Sequence, residues 1–198
     1  MKMGVLGGTF DPVHVGHLLL GECAREELGL ECVLFVPAGQ PWRKAGREVS
    51  PAEDRLAMLR LALADNAAFR VSTVELEREG PSYTAETLET LGQQYPGAQM
   101  FLVLGEDALA DLPHWHDPAR ILDLATVAVA ARSGEGPNLR QAEALLPGLV
   151  AKVVWLRMPI VEISATGIRE RVRRGQSIRY RVLPAVEAYI REHGLYRS

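Results

Sequence analysis

The sequence lacks the features that mark secreted, membrane-spanning and nucleic-acid-binding proteins. Its 198 residues include only two cysteines, Cys23 and Cys32, which are too few for a disulfide framework and favour a reducing compartment. The formal net charge of -3 excludes a protein that binds nucleic acid through an overall positive charge. No apolar run reaches membrane-spanning length, and Gly4, Gly7 and Gly8 interrupt the first apolar stretch. We therefore expect a cytoplasmic protein that contacts neither membrane nor nucleic acid.

The charge is distributed unevenly along the chain. Residues 151–198 contain ten Lys and Arg against four Asp and Glu, so this segment carries +6 while the rest carries -9. A basic segment either attracts an anionic ligand or forms a solvated helix face, and composition does not decide between the two. The length and the 47% hydrophobic content are typical of a single domain, which we expect over residues 1–198.

Apolar runs bounded by turn residues predict strands that alternate with helices. Buried strands are expected at residues 3–6, 32–36, 69–76, 100–104, 126–131 and 153–156. Helices are expected at residues 15–28, which Gly29 would cap, at 84–94 and at 184–193, with another after a capping box of Ser50, Pro51 and Glu53. This alternation predicts an α/β fold with a doubly wound parallel sheet, whose ligands lie beyond the carboxyl ends of the strands.

Residues 7–17 (GGTFDPVHVGH) lie where that rule expects a ligand, between the first strand and the first helix. Gly7 and Gly8 have no side chains, so backbone N–H groups of the turn can approach a phosphate closely. His14 and His17 are three residues apart, which places both imidazoles on one side, beside the positive end of the helix dipole. The alternative is a tight turn followed by incidental helix caps. The agreement of strand, turn and helix favours an anion site.

This segment resembles the signature of the nucleotidyltransferases that share the HxGH motif. It lacks the Gly-Lys-Ser/Thr ending of a Walker loop, and its glycines do not have the dinucleotide-binding spacing. The resemblance implies that His14 and His17 bind a triphosphate and stabilise the transition state at the α-phosphate, without a covalent intermediate. It also implies a Rossmann-like nucleotidyltransferase fold, with ATP contacts from Gly7, Gly8, Thr9 and Phe10.

A second motif follows the last predicted strand, at the start of the basic segment. Ser164 is a typical helix cap, and Thr166 and Arg169 are three residues apart and share a helix face. In isolation this pattern more often marks a capped surface helix. It resembles the Ile-Ser-x-Thr-x-x-Arg motif of the same superfamily, with Ala165 in place of a common serine. The resemblance implies that this segment binds the β and γ phosphates and that Arg169 is catalytic. The C-terminal helical part, about residues 160–198, would then complete the ATP site.

The sequence shows no nucleophile with an adjacent base and no cage of carboxylates for a metal. A phosphate monoester is largely ionised at neutral pH, so an acceptor of this kind needs no proton removed. Catalysis then reduces to aligning two reactants and neutralising charge on phosphorus. We therefore expect a phosphate-bearing acceptor, no protein metal site, and Mg²⁺ carried by ATP.

Weaker features resemble the bacterial nicotinate mononucleotide adenylyltransferases. Residues 81–84 (PSYT), with Tyr83 and Thr84 as the acceptor candidates, open a predicted helix whose exposed N–H groups favour a carboxylate over an amide. The alternative is an ordinary helix cap by Ser82 or Thr84. Gly105 and Asp107 follow a predicted strand, where the carboxylate suits ribose hydroxyls in the ATP site or caps a short helix. The Trp115 ring suits stacking on a pyridine ring of the acceptor, or it covers the core.

Two basic residues are further candidates for the acceptor phosphate: Lys44 in the loop after the second strand and Arg132 after the strand at 126–131. Relatives often carry Pro-Pro-His-Lys where residues 40–44 read QPWRK, which leaves open whether Arg43 or Lys44 takes that place. The resemblance as a whole implies that ATP and nicotinate mononucleotide are converted to deamido-NAD and pyrophosphate in NAD biosynthesis.

Other functions stay open at this point. A related nucleotidyltransferase would use phosphopantetheine or nicotinamide mononucleotide as its acceptor, although phosphopantetheine enzymes usually have Thr at the position of His14. A non-catalytic sensor would bind the nucleotide without turnover, which predicts a lost histidine or arginine, whereas His14, His17 and Arg169 are all present. The sequence is compatible with a homo-oligomer without requiring one.

Overall fold

The structure of the chain, a computed structural model, describes residues 1–40, 49–131 and 139–197. These residues contain six strands, namely β1 (Lys2–Gly8), β2 (Cys32–Pro37), β3 (Phe69–Val71), β4 (Gln99–Gly105), β5 (Ala125–Ala130) and β6 (Val153–Leu156). All neighbouring pairs are parallel, and the strands form one sheet in the order β3-β2-β1-β4-β5-β6. Parallel neighbours require crossover connections, which the intervening helices supply.

Nine α-helices lie in the same described ranges. They are α1 (Val15–Leu28), α2 (Ala52–Leu63), α3 (Thr84–Gln94), α4 (Glu106–Asp111), α5 (Pro118–Leu124), α6 (Arg140–Leu145), α7 (Leu149–Lys152), α8 (Ala165–Arg173) and α9 (Pro184–Glu192). A short 3₁₀ helix, Leu112–His114, follows α4. No helix of the described chain is both long enough and apolar enough to cross a membrane.

Alternate strand residues face opposite sides of the sheet, which gives the fold two apolar cores. Met3 and Val5 of β1 pack on one side with residues of α3 and α5, whereas Leu6 packs on the other side with residues of α1, α2 and α9. The same alternation occurs in β4, where Phe101 and Leu102 belong to different cores. Helices therefore cover both faces, and the predicted doubly wound α/β sheet is confirmed.

The strand order reverses between β1 and β4, which pair with each other in the middle of the sheet. The carboxyl ends of these strands, at Gly8 and Gly105, therefore lie at one edge of the sheet. Such a reversal opens a crevice beyond the strand ends in doubly wound sheets, because the two connections leave in opposite directions. Residues 7–17, which begin with the last two residues of β1, continue from that strand into this crevice.

Two expectations from the sequence are wrong. The strand expected at residues 69–76 ends at Val71, because this edge strand pairs only with Val33–Phe35 of β2 and the chain then turns, with the Leu76 N–H bonded to the Thr73 carbonyl. The Ser50 capping box is also absent: α2 begins at Ala52 after Pro51 and has no side-chain cap. Tertiary contacts occupy Ser50 instead, as its backbone groups bond to Asp11 and Arg55.

Candidate active site

The turn after β1 depends on the missing side chain of Gly8, the last residue of that strand. A Cβ at Gly7 would meet no atom within 4 Å, whereas a Cβ at Gly8 would lie 3.0 Å from the Phe10 ring. The Phe10 backbone adopts a φ of 50°, and its ring is 2% exposed and packs edge-on against His17. Gly8 is therefore required for the close approach of Phe10. The Phe10 ring belongs to the core, and the sequence-based assignment of this residue to ATP stays a prediction that only its backbone could fulfil.

The two histidines of the first motif stack on each other at the start of α1. Their ring centroids are 3.6 Å apart at an interplanar angle of 22°, so the prediction that both lie on one side is confirmed. His14 immediately precedes the helix, and its backbone N–H donates a 3.2 Å hydrogen bond to Nδ1 of His17. Because this nitrogen accepts, the proton of a neutral His17 ring lies on Nε2. The first turn of α1 contains no acidic residue, so the positive end of its dipole is not offset there.

Burial determines the charge of His14. Its side chain is 8% exposed, and burial lowers its pKa from 6.5 to about 4, so the ring is neutral at pH 7. Its Nδ1 is buried without a hydrogen-bond partner among the described residues. A Cβ at Gly16 would lie 3.1 Å from this nitrogen, so the glycine between the histidines makes room for the ring rather than for a ligand alone.

The second motif forms the start of α8 as the sequence predicts. Ser164 caps the helix, with its Oγ accepting from the Gly167 N–H at 3.1 Å. Thr166 and Arg169 share one face, since Nη2 of Arg169 lies 3.4 Å from the Thr166 hydroxyl. Nη1 of the same guanidinium donates a 2.6 Å hydrogen bond to the Asp11 carbonyl, 158 positions earlier in the chain. The two motifs therefore meet directly.

A cavity of about 850 Å³ lies at the carboxyl ends of the strands and collects residues from four separate segments. The sequence-predicted residues in its wall are Gly7, Gly8, Thr9, His17, Thr84, Gly105, Asp107 and Trp115. Ser164 instead lines a smaller cavity of about 270 Å³ with Arg171, Arg174 and Arg181. The large cavity thus joins the glycine turn to the expected acceptor residues. Arg169 does not line this cavity, but its guanidinium contacts the same turn at the Asp11 carbonyl.

The acceptor candidates divide into three groups. Trp115 is partly buried against the core, lines the cavity, and has a buried Nε1 without a partner in the described segments. Thr84 is the first residue of α3 and also lines the cavity, whereas the Tyr83 ring stacks on His116 with centroids 4.0 Å apart. Lys44 and Arg132, together with Arg43, lie outside the described residues.

Sequence reasoning missed a buried carboxylate in the cavity wall. Glu75 is 7% exposed, and burial raises its pKa while hydrogen bonds from the Thr87 and Ser82 hydroxyls lower it in part. The Thr87 hydroxyl lies 2.7 Å from Oε1 of Glu75, and Ser82 Oγ accepts the N–H groups of Gly39 at 2.9 Å and Gln40 at 3.2 Å. These bonds join the loop after β2 to the start of α3. A lone glutamate between Val74 and Leu76 was the available signal.

A buried arginine of α2 stabilises the glycine turn by binding one of its carbonyl groups. Arg55 is 2% exposed although it belongs to α2, and its guanidinium donates to the Thr9 carbonyl at 2.9 Å and to the Ser50 carbonyl at 3.0 Å. Burial lowers the pKa of Arg55, and the nearby Asp11 carboxylate opposes that shift. An arginine among the apolar positions of α2 was its signal in the sequence. Across the described ranges, no cluster of three or more His, Cys, Asp or Glu side chains is arranged to hold a metal ion.

Comparison with known proteins assigns the chain to a group. Residues 5–171 match the family model described as cytidylyltransferase-like. A probable nicotinate-nucleotide adenylyltransferase of Thermomicrobium roseum is 47% identical over 197 residues, covering all of this chain and 92% of the relative. One of the same name from a Roseiflexus species is 47% identical over 196 residues, covering 98% of each chain. The solved structure of Plasmodium falciparum nicotinic acid mononucleotide adenylyltransferase complexed with NaAD superposes with a TM-score of 0.78 at 16% identity, over 98% of this chain and 97% of that one, which confirms the fold.

Proposed function

The chain belongs to the nicotinate-nucleotide adenylyltransferases of the cytidylyltransferase-like family, and from this membership we propose that it transfers the adenylyl group of ATP to nicotinate mononucleotide in NAD biosynthesis. An oxygen of the acceptor's phosphate attacks the α-phosphorus of ATP. The bond between that phosphorus and the oxygen leading to the β-phosphate breaks, and pyrophosphate leaves with the bonding electrons. The products are deamido-NAD and pyrophosphate.

One observation carries the proposal: the hydrogen bond between Arg169 and the Asp11 carbonyl, beside the glycine turn that lines the large cavity. A triphosphate that follows this turn meets donors from both motifs. We assign the α-phosphate to His14 and His17, where Nε2–H of a neutral His17 is a donor. Arg169, with Ser164 and Thr166, is assigned to the β and γ phosphates, because guanidinium suits phosphate oxygens well. Charge that develops on the leaving pyrophosphate is then neutralised by fixed groups.

The remaining ATP contacts follow from the cavity wall. Gly7, Gly8 and Thr9 lie where β1 ends and line the cavity, and we assign their backbone to the phosphates. Gly105 and Asp107 end β4 and begin α4, and we assign the Asp107 carboxylate to the ribose hydroxyls. Mg²⁺ enters with ATP as part of the substrate and shields the charge of its phosphates.

The acceptor is assigned to other residues of the cavity wall. The Trp115 ring offers a stacking surface for the pyridine, and the first N–H groups of α3, at Thr84, face a carboxylate favourably. Glu86 in the first turn of α3 would weaken that attraction, but Arg78 lies 3.4 Å from its carboxylate and offsets the charge. Tyr83 contributes through its backbone, since its ring stacks on His116. Lys44 and Arg132 stay predictions for the acceptor phosphate.

Further parts of the proposal rest on the sequence. We propose that residues 1–198 form one domain whose C-terminal helical part, about residues 160–198, completes the ATP site, as the contact of Arg169 with Asp11 supports. We also propose that the enzyme works in the cytoplasm without nucleic acid or membrane as partner. Sedimentation of the purified protein measures whether it forms a homo-oligomer.

Pyrophosphate release tests the proposal with three acceptors: nicotinate mononucleotide, nicotinamide mononucleotide and phosphopantetheine. The acid should be preferred over the amide by at least about a hundredfold in kcat/KM, because a carboxylate offers the N–H donors two oxygens whereas an amide offers one oxygen and one NH₂. Equal rates with the amide would contradict the carboxylate assignment. Preference for phosphopantetheine would place the enzyme with another acceptor class, and binding of ATP without turnover would identify a sensor.

A further inference from the structure

A partly buried tyrosine outside both motifs contacts the first of them. Tyr196 follows α9, and its hydroxyl donates a 2.6 Å hydrogen bond to Oδ1 of Asp11, 185 positions earlier. The Tyr196 backbone has a φ of 64°, in the left-handed region that a tyrosine rarely adopts. Such a conformation persists where the surrounding contacts require it, and the hydrogen bond of the side chain to Asp11 is one of these contacts.

Asp11 connects this tyrosine to the second motif. The residue is 2% exposed, and its carboxylate accepts from the Tyr196 hydroxyl and from the Ser50 N–H at 3.2 Å. Its carbonyl accepts from Nη1 of Arg169. One buried residue therefore receives the C-terminal segment on its side chain and the phosphate-binding arginine on its backbone.

The Tyr196 hydroxyl is a permanent donor. Burial raises its pKa far above the ordinary tyrosine value, and the hydrogen bond to Asp11 raises it further, while Arg169 lowers it slightly. The hydroxyl therefore keeps its proton at every pH at which the enzyme would work. A buried carboxylate that lost this donor would turn to a cation beside it. The Thr9 and Ser50 carbonyls hold the guanidinium of Arg55, whereas that of Arg169 already touches the Asp11 carbonyl.

We propose that Tyr196 is a positioning residue of the ATP site: its hydroxyl satisfies the Asp11 carboxylate, which leaves the Arg169 guanidinium on the Asp11 carbonyl and directed to the triphosphate. This role rests on the proposed function, in which Arg169 grips the β and γ phosphates. Tyr196 lies outside both motifs. It acts through Arg169 and does not contact the substrate itself.

Tyr196→Phe removes the hydroxyl and keeps the ring. We expect the KM for ATP to rise about tenfold while the KM for nicotinate mononucleotide stays within about twofold, because only the ATP side depends on Arg169. A purely structural role would lower the active fraction and leave both KM values unchanged. The matched control is Tyr189→Phe, since that hydroxyl donates a 2.8 Å bond to Asp54 of α2, away from both motifs.

A double-mutant cycle tests the route through Arg169. In an Arg169→Ala background, Tyr196→Phe should add no further loss of ATP affinity, because the group it positions is gone. Independent losses in the double variant would overturn the proposal, as would a parental KM for ATP in Tyr196→Phe or an equal effect of Tyr189→Phe. Circular dichroism melting checks folding of each variant.

A binding measurement separates this proposal from the proposed function. Titration with a non-hydrolysable ATP analogue at low temperature, where a destabilised variant stays folded, should show the same weakened affinity in Tyr196→Phe and needs no acceptor. If Tyr196→Phe binds the analogue as tightly as the parent does, the positioning role is overturned. The proposed function still stands in that case, provided that the unaltered protein turns over nicotinate mononucleotide. Absent turnover in the unaltered protein refutes the proposed function instead, and a variant that does not fold even in the cold assigns Tyr196 a structural role only.

Discussion

The proposed mechanism gives the two ring nitrogens of His17 separate roles, which substitutions can distinguish. Its Nδ1 accepts the His14 N–H at 3.2 Å, which orients the ring, and its Nε2–H is the donor proposed for the α-phosphate. Asparagine places an oxygen near the position of Nδ1 but does not reach the position of Nε2. Glutamine reaches that position but leaves the His14 N–H without its acceptor. The variants His17→Asn, His17→Gln and His17→Ala therefore remove the donor, the orientation, or both.

The magnitudes follow from these contacts. Loss of one fixed donor to charge that develops in a transition state costs about 10²- to 10³-fold in kcat, or about 3 kcal/mol, so His17→Asn should lose that much while its KM for ATP changes little. His17→Gln keeps the donor on a flexible stem and should lose about tenfold. His17→Ala also loses the 3.6 Å stack with His14, so its turnover should fall by at least about 10³-fold and its stability by about 1–2 kcal/mol.

The assay is pyrophosphate release from ATP and nicotinate mononucleotide at saturation, with urea unfolding of each variant. The order of turnover should be parent, glutamine, asparagine, alanine. Turnover of His17→Asn within a few-fold of the parent would refute the reasoning, because the Nε2–H donor would then contribute nothing to the chemistry. An asparagine variant faster than the glutamine variant would show that ring orientation, rather than the donor, carries the effect.

Two other predictions concern His14 and Glu75. Because the folded-state pKa of His14 is about 4 against 6.5 unfolded, the unfolded chain takes up a proton that the folded chain does not, so stability should fall by up to about 3 kcal/mol as the pH drops from 6.5 to 4. Urea unfolding should show a smaller loss in His14→Asn, and equal slopes would contradict the buried neutral ring. Glu75→Gln replaces one carboxylate oxygen by NH₂, so one of the Ser82 and Thr87 hydroxyls loses its acceptor. The KM for nicotinate mononucleotide should rise about tenfold, while the KM for ATP should not change. The control Glu77→Gln, at an exposed residue, should change neither KM. A larger effect on the KM for ATP than on that for nicotinate mononucleotide would contradict a role of Glu75 in binding the acceptor.

Local signals predicted the regular elements well where neighbours along the chain decide them. α1 has the expected bounds, and Gly29 adopts the left-handed φ of 62° that a helix C-cap requires. The strand at 153–156 also agrees with its apolar run. The Ser50 capping box failed because Asp11 and Arg55, distant along the chain, take the backbone groups of Ser50. The strand at 69–76 failed because an edge strand continues only where its neighbour still pairs with it.

The site shows the same division. His14, His17, Ser164 and Arg169 were accessible from the sequence because their spacing and their place after strands carry the signal. Glu75 and Arg55 were not, because a buried charged side chain looks like a surface one until its partners are known. The burial of the Phe10 ring was not accessible either, since it accompanies a positive φ that the sequence does not display.

The sequence by itself determined the alternation of strands and helices, the glycine turn that carries two histidines, and the capped helix that carries Arg169, because periodicity, capping and turn preferences act over a few residues. Only the tertiary structure decided that Arg169 touches Asp11 across 158 positions, that Tyr196 binds the carboxylate of the same residue, and that burial lowers the pKa of His14 to about 4. Long-range hydrogen bonds and desolvation depend on which segments pack together, and packing is a property of the folded chain as a whole.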